Sequence, residues 1–79
     1  MKKLIEILNN IKPEVDFESA EYLVDEGILD SIEIVEIITE IEIKFNILIK
    51  PDQIDPDNFQ SAQTMWSMIQ SAGDNRYVD

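Results

Sequence analysis

Residues 30–45 read DSIEIVEIITEIEIKF, and this stretch decides the fold of the chain. Asp30 is a good N-cap residue and Glu33 follows it at the spacing of a capping box, so a helix is predicted to begin at Ser31. At about 100° per residue, several of the apolar side chains that follow gather on one face of that helix. We predict that this face packs into the core and that it consists of Ile34, Ile37, Ile38, Ile41 and Phe45.

A strand is the competing interpretation of the end of this stretch. Residues 41–49 alternate between apolar and polar types and are rich in β-branched side chains, which favours extended structure. The apolar series at helical spacing nevertheless continues as far as Phe45. We therefore predict helix through Phe45 and extended chain over residues 46–50.

The chain before this stretch predicts one helix and one long loop. Apolar residues at spacings of three and four predict a helix over Lys2–Ile11, and Pro13 marks its end because the residue before a proline resists helical geometry. Residues 12–29 show no sustained period, so we expect a connecting loop. Loops of this length in small domains are often functional.

The chain after the stretch predicts two further helices. An Asp-Pro pair is typical of a helix start, so a short helix is expected over Pro56–Phe59. Ser61 caps a last helix over residues 62–72, and Gly73 is expected to end it. A flexible tail is expected over residues 74–79.

The predicted fold is all-α: a small bundle of three main helices plus one short helix, with a long first loop. The 79 residues leave room for a single domain. The chain has no His and no Cys, which excludes Ser-His-Asp triads, thiol nucleophiles and Cys/His metal sites. We expect no catalytic residue, no metal site and no enzyme activity.

The net charge of −11 constrains the partners. Nucleic acid is not expected, because phosphate binding needs Lys and Arg, whereas basic proteins are natural partners of an acidic surface. The N-terminal apolar run is broken by Glu6, and no stretch approaches the roughly 20 apolar residues of a membrane span. We therefore expect a cytoplasmic location and no membrane insertion.

The predicted second helix has an unusual outward face. Isoleucines lie there among acids, and the face consists of Ile32, Glu36, Thr39 and Ile43, flanked by Glu33 and Glu40. An apolar face of this kind on a small bundle indicates a docking surface. Single exposed isoleucines are also ordinary on soluble proteins, so both interpretations stay open.

Ser31 stands at the start of this helix, directly after Asp30. The positive end of a helix favours a phosphate attached there. Since the chain has no His to activate the hydroxyl, Ser31 is a poor catalytic nucleophile but a suitable acceptor for a phosphodiester made by another enzyme. For an isolated Asp-Ser pair, a serine that helps to cap the helix is the ordinary interpretation.

Residues 27–33, GILDSIE, resemble the attachment-site motif of the acyl and peptidyl carrier proteins, whose core is Asp-Ser followed by an aliphatic residue. The likeness covers roughly residues 4–69 and includes the aliphatic second helix with its closing Phe45. Ile32 stands where that family more often has Leu. Ile43 and Lys44 fall in a stretch that is often acidic in fatty-acid carriers.

The resemblance implies that a phosphopantetheinyl transferase attaches 4′-phosphopantetheine from coenzyme A to Ser31, with Asp30 as the flanking motif residue. The chain would carry acyl intermediates as thioesters on that arm. The absence of Cys fits a thiol that comes with the prosthetic group. The implied partners are acyl- or aminoacyl-loading ligases and synthases with basic docking patches.

The resemblance also implies where those partners bind and which alternatives stay open. We expect a monomer, because transient docking requires a free second helix. A D-alanyl or aminoacyl carrier of a specialised pathway is the first alternative, and a partner-binding bundle that is not modified is the second. The implied docking residues are Ile32, Glu33, Glu36 and Glu40.

Overall fold

Residues 1–78 fold into three α-helices and two short 3₁₀ helices and contain no strand. The structure is a computed structural model that describes the backbone of residues 1–78 and the side chains of residues 1–72. The fold class is therefore confirmed as all-α. The elements in chain order are α1 (Lys2–Ile11), α2 (Ser31–Phe45), the 3₁₀ helices Pro51–Gln53 and Pro56–Phe59, and α3 (Ala62–Val78).

The start of α2 contains both halves of the predicted capping box. The Asp30 carboxylate accepts a hydrogen bond from the Glu33 amide at 2.8 Å, and the Glu33 carboxylate accepts one from the Asp30 amide at 3.0 Å. At the other end Asn46 adopts a left-handed conformation, with φ of 54°, and ends the helix. The prediction of extended chain is therefore wrong for Asn46, and residues 47–50 follow outside any helix. The strand interpretation of residues 41–49 is also wrong.

The core lies between the helices and the first loop. α1 packs against α2 and α3, and α3 also packs against the second 3₁₀ helix. Phe17, Leu23 and Leu29 are buried, so the loop closes one side of the core. From the helices and the segments between them, the buried side chains are Leu4, Ile7, Leu8, Ile37, Ile41, Ile47, Ile49, Phe59, Ala62, Met65, Met68, Ile69 and Ala72.

One glutamine side chain fastens the first loop to the segment before α3. Gln60 Oε1 accepts hydrogen bonds from the Val24 and Asp25 amides at 3.0 and 3.2 Å, and Gln60 Nε2 donates to the Asp25 carboxylate at 2.8 Å. The Gln60 carbonyl also accepts from the Leu23 amide at 2.9 Å. Gly27 then completes the turn with φ of 71°, a conformation that favours glycine.

The structure corrects the predicted end of the last helix. α3 continues through Gly73 to Val78, because one glycine inside a helix costs only about 1 kcal/mol and no proline follows it. The segment predicted as a tail, residues 74–79, is therefore helical as far as Val78, and Asp79 lies outside the described residues. The 3₁₀ helix Pro51–Gln53 was not predicted.

None of the helices in residues 1–78 combines the length and apolar content that crossing a bilayer requires.

Replacing Ile41 and Ile43 separately by alanine tests the helical placement of this segment. Residues two apart share a face in a strand but lie on nearly opposite sides of a helix. Ile41 is fully buried, whereas Ile43 is 66% exposed. We expect Ile41→Ala to lower the free energy of unfolding by about 2–5 kcal/mol, and Ile43→Ala to lower it by less than about 0.5 kcal/mol, in urea denaturation.

If Ile41→Ala does not fold, Ile41→Val gives the same comparison at about 0.5–1.5 kcal/mol. If Ile41→Ala and Ile43→Ala lowered the free energy of unfolding equally, the helical placement of this segment would be contradicted.

Candidate functional site

Ser31 is the first residue of α2, and its side chain is exposed. Asp30 and Glu33 cap the helix between them, so Ser31 is not needed as a capping residue. Within the part of the chain whose side chains are described, the Ser31 hydroxyl makes no hydrogen bond. The hydroxyl is therefore free to react with a group that another molecule presents.

The side chain of Lys12, at the end of α1, is hydrogen-bonded to residues on both sides of Ser31. Its Nζ donates to the Ile28 carbonyl oxygen at 2.6 Å and to Glu33 Oε1 at 3.1 Å, and it lies 2.9 Å from Glu33 Oε2. No local pattern pointed to Lys12, because these partners lie 16 and 21 positions further along the chain.

The surroundings of Lys12 favour its charged form. The hydrogen bond to Glu33 raises the pKa of Lys12 above its ordinary value of 10.5. The negative charges of Glu33, Glu14 and Asp30 act in the same direction, while partial burial opposes them. The ion pair is therefore present throughout the neutral range.

An apolar cavity of about 250 Å³ opens beside Ser31, between α2 and the second 3₁₀ helix. Three of the residues predicted for the core, Ile34, Ile38 and Phe45, are only half-buried, and the first two line this opening. Phe59, which is buried, lines it from the 3₁₀ helix. Apart from Ser31 and Asp55, the lining is apolar and consists of Ile34, Val35, Ile38, Ile54, Pro56 and Phe59.

The outward face of α2 is exposed, as predicted. The isoleucines at its two ends, Ile32 and Ile43, are 71% and 66% exposed. Val35 is 60% exposed and adds a third apolar side chain, which the helical pattern alone did not assign to this face. We call this surface the α2 ridge, and it consists of Ile32, Val35, Glu36, Thr39 and Ile43.

The three acids predicted for docking are not equivalent in the structure. Glu36 is exposed, whereas Glu33 and Glu40 are half-buried. The Glu33 carboxylate also holds the Asp30 amide and the Lys12 ammonium group. Glu36 is thus available to a partner, while Glu33 is engaged in fixing the start of the helix.

The two ends of α2 differ in charge. Lys3 Nζ donates to the Lys44 carbonyl oxygen at 3.0 Å and lies 5.2 Å from the ring centroid of Phe45, which places two lysines at the C-terminal end of the helix. Ser31 lies about 21 Å from that end, at a rise of about 1.5 Å per residue. The Ser31 end of α2 therefore carries an excess of acids, whereas two lysines offset Glu40 and Glu42 at the other end.

No protein-family model, curated protein or solved structure matches this chain. A function for the site is therefore inferred from its own residues and their geometry. These are an exposed hydroxyl, a capped helix start, an adjoining apolar cavity and an exposed ridge. Such a site can accept and display a group, and among the side chains of residues 1–72 none is hydrogen-bonded to the hydroxyl in a way that would activate it.

Lys12→Met tests the ion pair, because it removes the cation and keeps most of the side-chain length. The folded-state pKa of Lys12 is raised, so its contribution to stability is complete below the ordinary value of 10.5 and is lost as the pH rises through the higher folded value. In urea denaturation we expect the wild-type chain to be more stable than Lys12→Met at neutral pH. That difference should shrink above pH 10.5.

Lys2→Met is the matched control, since Lys2 is exposed on α1 and the net charge changes equally. A stability difference for Lys12→Met that stays constant across the alkaline range would contradict the ion pair.

Proposed function

We propose that the chain is an acyl carrier protein that is modified at Ser31. The observation that carries this proposal is the free, exposed hydroxyl of Ser31 on the first residue of a capped helix, at the mouth of an apolar cavity. The resemblance of residues 27–33 to the carrier attachment motif points to the same serine. The proposal makes the chain a carrier and not an enzyme.

The proposed modification is a phosphodiester formed by a phosphopantetheinyl transferase. Ser31 Oγ forms a bond to the phosphorus that carries the pantetheine arm in coenzyme A. The bond from that phosphorus to the leaving adenosine 3′,5′-bisphosphate breaks, and the serine proton passes to a base on the transferase. The free amides at the start of α2 favour the negative charge of the new phosphodiester.

The attached group supplies the reactive sulfur that this chain lacks. When bound, 4′-phosphopantetheine provides a thiol on which an acyl group is carried as a thioester. Ser31 is the residue that would hold it, since its hydroxyl takes no part in the capping bonds between Asp30 and Glu33.

The cavity beside Ser31 supports an apolar acyl cargo over a charged aminoacyl one. Burying a methylene group there stabilises the loaded form by about 0.8 kcal/mol. An ammonium group would lose its hydration against the lining of Ile34, Ile38 and Phe59, where no acid but Asp55 is present to pair with it. A D-alanyl carrier would therefore hold its cargo outside the cavity.

The α2 ridge supports docking to enzymes with basic and apolar contact surfaces. Ile32, Val35 and Glu36 are exposed next to Ser31, so a partner that reaches the serine meets them first. Because this docking requires a free ridge, the proposal includes a monomer. It also places the carrier in the cytoplasm, where coenzyme A serves as the donor.

The first test is the intact mass of the chain before and after incubation with coenzyme A, magnesium and a broad-specificity phosphopantetheinyl transferase. We expect one phosphopantetheine adduct on the wild-type chain and none on Ser31→Ala. Ser67→Ala is the matched control, since Ser67 is an exposed serine in α3, and this variant should be modified as the wild type is.

An adduct that survives Ser31→Ala would overturn the assignment of the site. A folded wild-type chain that gains no adduct with any of several transferases would favour the partner-binding bundle.

Glu36→Lys tests the docking surface, because it reverses one charge on the α2 ridge and contacts neither the cap nor the cavity. At low salt we expect loading to slow by roughly three- to tenfold, or about 0.7–1.4 kcal/mol. The effect should weaken as salt screens the charges. Glu6→Lys is the control, since it changes the net charge equally on α1. Equal loading rates for Glu36→Lys and the wild type at low salt would contradict docking at this acid.

A further inference from the structure

The ammonium group of Lys12 contacts the chain on both sides of Ser31. One contact is the Ile28 carbonyl oxygen, three residues before the serine, and the other is the Glu33 carboxylate, two residues after it. Lys12 itself belongs to a different segment, where its backbone amide donates to the Leu8 carbonyl oxygen at 2.9 Å and closes α1. The end of α1 is thereby fixed to the segment that presents the serine.

Lys12 shares an acceptor with the helix cap. Glu33 Oε1 accepts both from Lys12 Nζ at 3.1 Å and from the Asp30 amide at 3.0 Å. A glutamate side chain has several rotatable bonds, so an isolated capping carboxylate samples other positions. Lys12 holds the Glu33 carboxylate in the position from which it accepts the hydrogen bond of the Asp30 amide. The backbone of Asp30, fixed in this way, in turn fixes the position of the Ser31 backbone.

The pair differs from an ordinary surface salt bridge in two respects. The side chains of Lys12 and Glu33 are only 23% and 20% exposed, so solvent and salt screen their attraction less than at a fully exposed site. The lysine also donates to a backbone carbonyl oxygen, which fixes the position of the main chain as well as that of a side chain.

We propose that Lys12 is a positioning residue for the modification of Ser31, acting by clamping Ile28 and Glu33 around the serine. This inference rests on the proposed carrier function and adds to it the residue that orients the acceptor. Lys12 does not contact the reacting atoms, and it lies off the α2 ridge. Its loss should therefore lower the rate of transfer within the docked complex and leave docking itself intact.

The test is steady-state kinetics of phosphopantetheine transfer to the wild-type chain, Lys12→Met, Lys12→Arg and Lys2→Met, with coenzyme A and one transferase. Urea denaturation fixes conditions under which every variant is folded. For Lys12→Met we expect kcat to fall by about tenfold with KM for the carrier unchanged, since misplacement by about 1 Å costs up to about 100-fold. Lys12→Arg keeps the charge and the donors and should restore most of the rate, and Lys2→Met should match the wild type.

Amide hydrogen exchange provides a second measurement that does not depend on the transferase. The Asp30 amide should lose protection in Lys12→Met, because the carboxylate that accepts from it is no longer held in place. The Met65 amide, which donates to the Ser61 carbonyl oxygen at 3.1 Å in α3, should keep its protection. Equal loss at both amides would mean general destabilisation and would overturn the clamp.

The kinetic outcomes separate this inference from the function on which it rests. If the wild-type chain is loaded and Lys12→Met is loaded at the same kcat, the positioning role is overturned and the carrier function stands. A raised KM at constant kcat would place Lys12 in docking and would also overturn the positioning role. If the folded wild-type chain is never loaded, the carrier function fails and the loading role of Lys12 fails with it.

Discussion

The reciprocal hydrogen bonds between Asp30 and Glu33 are the interaction on which the rest of this structure depends. They fix where α2 begins and the course of its first turn, and burial of the apolar face then sets the rotational register of the helix. That register turns Ile37 and Ile41 into the core and leaves the α2 ridge exposed. If α2 began one residue later, it would still contain these side chains. It would lose the cap that Asp30 and Glu33 supply, and the free energy of unfolding would fall by about 1 kcal/mol.

The same cap explains why Ser31 is suited to accept a group. In many helices a serine at the start accepts from an amide of the first turn, but here the Asp30 carboxylate accepts from the Glu33 amide instead. The hydroxyl is left exposed beside an apolar cavity of about 250 Å³. Stability of the helix start and availability of the serine are thus compatible, because different residues provide them. The Lys12 contact adds a connection from this helix start to α1.

Much of the fold and part of the site followed from local sequence. The bounds of α1 and α2 were predictable because Pro13, the capping box and the apolar spacing act within one or two helical turns. The end of α3 was not, since Gly73 is a weak stop signal without a following proline. The exposure of Val35 depends on how α2 lies against its neighbours, and helical spacing alone does not fix this.

The sequence by itself determined the all-α fold, the capped start of α2 and the position of Ser31 on it, because all three depend on residues within a few positions of one another. The tertiary structure alone decided what surrounds the serine. Lys12 meets Glu33 across 21 positions, Gln60 holds the loop from 36 positions away, and the cavity forms between α2 and a later 3₁₀ helix. Contacts of that range leave no periodic trace in a sequence, because the folded path of the whole chain brings the partners together.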